Sequence, residues 1–169
     1  MKLKMDACCS GATLNGFQGA AGALFTTKYE TIGYYHIVRR RSGSDAWPTS
    51  NRAYLASIIV ALEKGIERWM ELKTRPELAV TIYSNSKYAV DCMGKRKKHW
   101  TVDEYDGRVY KANGDPVANQ DLLEQAYELE RSIKRWGAVE YVWIPKEKNK
   151  LDNKACHRAL KSGIEGEEK

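Results

Sequence analysis

The first part of the chain alternates apolar and polar positions in the way that half-buried strands do. Residues 2–7 follow this alternation, and β-forming runs recur at 21–27 and 31–38. Turns between these runs are predicted by residues that favour them: Gly11, Asn15, Gly16 and Gly19. We therefore expect three antiparallel strands joined by short connections.

Beyond residue 48 the apolar residues recur every three or four positions, which is typical of amphipathic helices. This spacing predicts long helices at 49–69, 122–136 and 151–162. Thr49 and Ser50 would cap the first helix, and Gly163 would end the last. Short apolar runs predict strands at 79–83 and 139–144, a brief helix at 84–93, and an irregular basic stretch at 94–118.

Helices that alternate with the later strands predict an α/β fold with a mixed sheet. We expect five strands, three antiparallel and then two parallel, with helices on both faces. Residues 1–163 would form a single domain, and residues 164–169 a charged C-terminal tail.

Basic residues dominate the charge, since the net charge is +6. They gather in three clusters: Arg39–Arg41, Lys95–Lys98, and the set Lys146, Lys148 and Lys150. Such clusters favour a polyanionic partner, although each could also be an ordinary solvated surface. No apolar run approaches the roughly 20 residues that span a bilayer. We expect an intracellular protein, nuclear or cytoplasmic.

The four cysteines predict neither a zinc site nor a disulfide framework. Cys8 and Cys9 are adjacent, so in a strand they would point to opposite faces, and no C-x-x-C pair is present. Buried thiols in a reducing compartment are the simplest interpretation.

The element order, together with five motifs in register, resembles the ribonuclease H family. Residues 6–11 resemble its opening D-G-S/A strand, and residues 49–55 resemble T-x-N-R-A-E-L. Residues 83–90 resemble T-D-S-x-Y-V, and residues 113–122 resemble G-K-P-V-K-N-x-D-L. Residues 142–150 resemble the strand and loop before the last helix in fungal members.

This resemblance implies cleavage of RNA in RNA/DNA hybrids by two Mg²⁺ ions that four carboxylates hold. Aligned by motif, Asp6 keeps the first acid, while Tyr54, Asn85 and Asn153 stand where the other three are expected. We therefore expect a degenerate catalytic site with no metal cofactor. If a metal is bound, Asp6 and Asp152 are the candidate ligands. Asp152 would reach the site by a one-residue slip of the last helix, or it would merely cap that helix.

The resemblance also implies a set of nucleic-acid contacts: Thr49, Ser50, Asn51, Asn119, Lys95, Arg96, Lys97, Lys98 and Trp100. Basic residues with an interleaved aromatic suit phosphate and sugar contacts. Alternatives remain open, because Thr49, Ser50 and Asn119 could act as helix caps and Trp100 could pack in the core. The expected partner is RNA/DNA hybrid or duplex RNA.

Three functions are consistent with these residues. The first is a catalytically degenerate domain that binds hybrid or other nucleic acid without sequence preference. The second is an active Mg²⁺-dependent ribonuclease H, and only this alternative needs a cofactor. The third is a protein-interaction module on an inactive fold, with a protein partner.

Overall fold

A computed structural model of the protein describes residues 2–14, 18–26, 30–39, 48–163 and 165–168. The strands are β1 (Lys2–Leu14), β2 (Gln18–Thr26), β3 (Thr31–Arg39), β4 (Glu77–Ser84), β5 (Trp100–Val102), β6 (Val109–Lys111), β7 (Gly137–Trp143) and β8 (Gly166–Glu168). The helices are α1 (Ser50–Met70), α2 (Lys87–Met93), α3 (Gln120–Lys134) and α4 (Lys150–Ser162), with 3-10 turns at Lys97–His99 and Lys146–Asn149.

The main sheet is mixed and has the order β7-β4-β1-β2-β3-β8. β1, β2 and β3 pair antiparallel, whereas β4 and β7 run parallel to β1. The predicted α/β fold is thus confirmed, but the sheet has six strands because β8 pairs with β3. Residues 166–168 had been expected to be a charged tail. Glu165 holds these residues beside β3 at the edge of the sheet, because its carboxylate accepts hydrogen bonds from Ile37 N (2.9 Å) and Arg39 Nη1 (3.0 Å).

β1 extends seven residues beyond its predicted end, so the turn predicted at Gly11 is wrong. A Cβ atom on Gly11 would lie 2.6 Å from Tyr54 N and 2.7 Å from Ala53 C. Glycine is therefore required there because the backbone of α1 crosses β1 closely, not because the chain turns. Gly19 likewise lies inside β2, while Asn15 and Gly16 fall outside the described residues.

Helices pack on both faces of the sheet, as predicted. α1 buries Leu55, Ile58 and Leu62 against one face, where Leu78 and Ile82 are also fully buried. α4 covers the opposite face through a smaller cluster of apolar side chains: Ala12, Ala20, Ile37, Cys156 and Leu160. None of the described helices is long and apolar enough to cross a membrane.

The stretch predicted as irregular, residues 94–118, contains a small hairpin of β5 and β6. Val109 anchors it because its side chain is fully buried and its carbonyl accepts a hydrogen bond from Gln120 Nε2 at 2.9 Å. Glycines lie at the turns of this stretch, since Gly107 and Gly114 adopt positive φ angles of 73° and 86°. Three-residue strands leave too short a pattern for sequence reasoning to detect.

Candidate functional site

Five uncharged polar side chains meet beside the carboxyl ends of the central strands. Ser10 comes from β1, Tyr54 from the first turns of α1, and Asn85 directly follows β4. Asn149 and Asn153 come from the start of α4. These five residues are called the polar cluster below.

The members of the polar cluster hydrogen-bond mainly to one another. The Ser10 hydroxyl donates to Asn153 Oδ1, and Asn85 Nδ2 donates to the Tyr54 hydroxyl at 2.9 Å. Tyr54 OH lies 3.4 Å from Asn153 Oδ1, and Asn153 Nδ2 lies 3.4 Å from Asn85 Oδ1. Asn149 Nδ2 ties the cluster to the backbone, since it donates to Asn85 Oδ1 at 2.8 Å and to the Cys9 carbonyl at 2.9 Å.

The polar cluster carries no formal charge. Burial raises the pKa of the Tyr54 phenol, so this hydroxyl stays protonated at neutral pH. Serine and asparagine do not ionise in this range. The cluster can therefore donate and accept hydrogen bonds, but it cannot act as a charged acid or base.

The sequence model of the RNase H family matches residues 1–165. The chain belongs to the ribonuclease H family. It is 27% identical to a ribonuclease H from Treponema denticola over 124 residues. This alignment covers 70% of this chain and 72% of that protein.

Solved structures of this family share the fold. Ribonuclease H1 from the archaeon Halobacterium salinarum superposes with a TM-score of 0.62 at 12% identity, covering 96% of this chain and 100% of that one. LC11-RNase H1, isolated from compost, was solved in complex with RNA/DNA hybrid. It superposes with a TM-score of 0.61 at 18% identity, covering 94% and 98% of the two chains.

Tyr54, Asn85 and Asn153 come together as the motif alignment predicted, but Asp6 does not join them. Ser10 occupies the place on β1 that had been assigned to Asp6. Asp6 lies four residues earlier on the same strand, about 13 Å away, where it is exposed and pairs in register with Thr81. The predicted placement of Asp6 in the site is therefore wrong.

A signal for Ser10 was present in the sequence. Ser10 is followed by Gly11 and Ala12, which resembles the family's D-G-S/A opening with its glycine intact, whereas Asp6 is followed by alanine. The structure explains why this glycine matters, because only glycine lets α1 approach β1 and bring Tyr54 over the strand. Sequence reasoning gave more weight to the acid than to the glycine.

Asp152 is neither a member of the polar cluster nor a helix cap. Its side chain points into the interior with 1% of the residue exposed, and neither carboxylate oxygen has a hydrogen-bond partner within the described part of the chain. Burial raises the pKa of this carboxyl well above its ordinary value, so the neutral form is favoured. The slipped register of α4 is excluded, because Asn153 is the residue that faces Ser10.

Two Mg²⁺ ions do not fit the donor set of the polar cluster. Magnesium is a hard cation that is bound through carboxylates, and paired dications need several negative ligands to offset their repulsion. The polar cluster supplies only hydroxyl and amide groups. Within the described ranges, no group of three or more His, Cys, Asp or Glu residues is placed to hold a metal ion.

The predicted nucleic-acid contacts at the start of α1 divide into exposed and engaged side chains. Ser50 and Asn51 are exposed, while Thr49 caps α1 by accepting a hydrogen bond from Arg52 N at 3.3 Å. Asn119 does not cap α3 with its side chain. Its Nδ2 instead donates to Tyr88 OH at 2.8 Å, and its Oδ1 accepts from Arg52 Nη1 at 3.4 Å.

Arg52 was not singled out from the sequence, yet it joins α1 to α3. Its guanidinium donates two hydrogen bonds to the Asp121 carboxylate, at 2.9 and 2.6 Å. This pair lowers the pKa of Asp121. The bidentate pair fixes the start of α1, where the exposed Ser50 and Asn51 lie.

Residues 94–100, called the basic segment below, also divide into exposed and engaged side chains. Lys95, Arg96 and Lys98 are exposed, and the Arg96 guanidinium also lies 5.2 Å from the centre of the Tyr88 ring. Lys97 forms an ion pair with Glu130, and its ammonium lies 4.2 Å from the Tyr127 ring centre. Trp100 is half-buried and packs against the core, which favours the packing alternative for this residue.

Proposed function

We propose that this chain is a catalytically degenerate ribonuclease H domain that binds RNA/DNA hybrid or another nucleic-acid duplex without sequence preference. One observation carries the proposal. Ser10, Tyr54, Asn85 and Asn153 meet where the resemblance to the family implies four metal-binding acids. A nuclear or cytoplasmic location is part of the proposal, since such duplexes occur inside cells.

The chemistry of the polar cluster argues against phosphodiester hydrolysis. Two-metal cleavage needs ions that activate the attacking water and stabilise the leaving oxygen. The uncharged cluster offers no counter-charge for those ions. Burial raises the pKa of the neighbouring acid, Asp152, which disfavours its charged form. None of the five side chains of the polar cluster can act as a general base at neutral pH.

Binding of nucleic acid needs phosphate and sugar contacts rather than metal chemistry. Lys95 and Lys98 expose their charges on the basic segment, and Ser50 and Asn51 expose polar groups at the start of α1. A related fold, LC11-RNase H1, was solved with RNA/DNA hybrid bound. The net charge of +6 favours the same kind of partner.

The test measures cleavage and binding of one labelled RNA/DNA hybrid, with Mg²⁺, with Mn²⁺ and with a chelator. We expect no cleavage and binding that is insensitive to the chelator but weakens as salt rises. Lys98→Gln should reduce the salt dependence, with Lys73→Gln as a control of equal charge on an exposed turn. Metal-dependent cleavage that Asn85→Ala, a change within the polar cluster, abolishes would overturn the proposal, and absence of binding would favour a protein partner instead.

A further inference from the structure

The outward face of α4 is mainly basic. Its exposed residues are Lys150, Leu151, Lys154, His157, Arg158, Lys161 and Ser162. At 3.6 residues per turn, the five basic positions among them fall within about 100° of the helix circumference. The buried positions Cys156, Ala159 and Leu160 lie on the opposite side.

No acidic side chain interrupts this face. The only acid in α4 is Asp152, and it is turned inward and buried. Across the described ranges, Lys150, Lys154 and Lys161 take part in no ion pair. Their charges are therefore available to an external anion.

The basic face is continuous with the polar cluster. α4 begins at Lys150, beside Asn149 and one turn before Lys154. The preceding 3-10 turn exposes Lys146 and Lys148 together with one acid, Glu147. From Lys150 to Lys161 the helix rises about 17 Å. A nucleic-acid strand places one phosphate about every 3.4 Å along the axis, so roughly five phosphates would span this distance.

We propose that this α4 face contacts the phosphate backbone of a nucleic acid where that backbone extends past the polar cluster. The inference rests on the proposed function and adds a second binding surface to it. A protein partner is disfavoured because Leu151 is the only large apolar side chain exposed on α4, whereas protein interfaces have an apolar centre. An evenly charged face without such a centre suits a polyanion.

The test compares Lys154→Gln/Lys161→Gln with Lys4→Gln/Lys73→Gln, four exposed lysines whose exchange removes the same charge. Glutamine and lysine have similar helix propensities, so the α4 variant should fold like wild type. The control lysines are exposed, Lys4 in β1 and Lys73 in a turn, so their exchange should also leave the fold unchanged. The binding constant for RNA/DNA hybrid is measured over a range of salt concentrations. The plot of log K against log salt concentration has a negative slope, and each lost phosphate contact makes this slope less steep by about 0.9.

We expect the slope for the α4 variant to be less steep than that of wild type by about 2, and the slope for the control pair to be unchanged. Equal slopes for wild type and the α4 variant would overturn this inference, while the proposed function would stand on the wild-type binding. If wild type binds no nucleic acid, both fail. A slope that falls equally in both double variants would also overturn it, because the effect would then come from net charge alone.

Discussion

Two buried carboxyl groups in this protein have opposite surroundings. Asp152 lies next to the polar cluster with 1% of its surface exposed, and Glu130 lies beneath the basic segment with 3% exposed. Asp152 has no hydrogen-bond partner within the described residues, whereas Glu130 pairs with Lys97 and also with Lys134 at 2.5 Å. Both carboxyls are buried, so the difference between them lies in their partners: two lysines surround Glu130, and neither oxygen of Asp152 is hydrogen-bonded within the described residues.

This difference matches the functions proposed for the two regions. Glu130 anchors Lys97, and this holds the basic segment on α3 while Lys95 and Lys98 stay exposed. The polar cluster has no equivalent charge, because its members are serine, tyrosine and asparagine side chains joined by neutral hydrogen bonds. The protein thus has an acidic residue paired with lysines beneath the proposed binding surface, and uncharged residues where metal ions would need carboxylates.

The largest effect is expected for Glu130→Gln, which leaves Lys97 without its anion. Breaking a buried ion pair costs about 3–5 kcal/mol, and the partial exposure of both lysines reduces the loss to about 2–3 kcal/mol. Chemical denaturation measures this decrease in the free energy of unfolding. The exposed Glu128→Gln serves as the control and should change stability by less than about 0.5 kcal/mol. Equal stabilities would mean that Glu130 does not anchor the basic segment.

Gly11→Ala tests whether the polar cluster depends on close backbone packing instead of charge. The added methyl group would clash with the backbone of α1, so the free energy of unfolding should fall by about 1–3 kcal/mol. Gly65→Ala is the matched control, because its Cβ would lie an ordinary 3.6 Å from Val80. That change should stabilise the helix by up to about 1 kcal/mol. A tolerated Gly11→Ala would contradict the close crossing of α1 over β1.

Asp152→Asn tests the contrast between the two carboxyls directly. The pKa of Asp152 is raised in the folded state, so its contribution to stability is present below pH 4 and is lost as pH rises through the folded pKa. The asparagine of the variant cannot ionise, so its stability does not fall in this way as pH rises. At pH 8 it should be more stable than wild type by about 1–3 kcal/mol, and near pH 4 the two should be similar. Parallel stability curves for the two proteins between pH 4 and pH 8 would show that the pKa of Asp152 is the same in the folded and unfolded states, so that burial does not raise it.

Tyr54→Phe should have the smallest effect. It removes a hydroxyl that accepts from Asn85 Nδ2 at 2.9 Å, which costs about 1 kcal/mol because the amide is only half-buried. Binding of hybrid should be unchanged, since the hydroxyl is not part of the proposed binding surface. A tenfold loss of affinity would instead place Tyr54 in contact with the nucleic acid.

The long elements were predictable because each presents many repeats of one period. α1 shows apolar residues every three or four positions over five turns, and β4 and β7 are distinct apolar runs. The hairpin of β5 and β6 and the edge strand β8 were missed, since three residues carry no period. β8 also depends on a tertiary contact, the hydrogen bond from Ile37 N to Glu165.

Of the five members of the polar cluster, three were predicted from the sequence, and Ser10 and Asn149 were missed. Tyr54, Asn85 and Asn153 lie in motifs whose flanking residues fix the register. In β1 the conspicuous Asp6 outweighed Ser10, and only the approach of α1 to Gly11 reveals which residue faces the cluster. The roles of Asn149 and Arg52 depend on contacts between distant elements, which a single sequence does not display.

The most direct test of the central claim is whether the site binds Mg²⁺ at all. The melting temperature of wild type is compared with and without millimolar Mg²⁺ at equal ionic strength, since a ligand that binds the folded state raises it. A variant that restores four acids, Ser10→Asp/Tyr54→Glu/Asn85→Asp/Asn153→Asp, provides the positive comparison. We predict no Mg²⁺-dependent stabilisation of wild type and a saturable rise for the variant. A saturable rise in wild type that Asp6→Asn or Asp152→Asn abolishes would contradict the account, whatever the variant does.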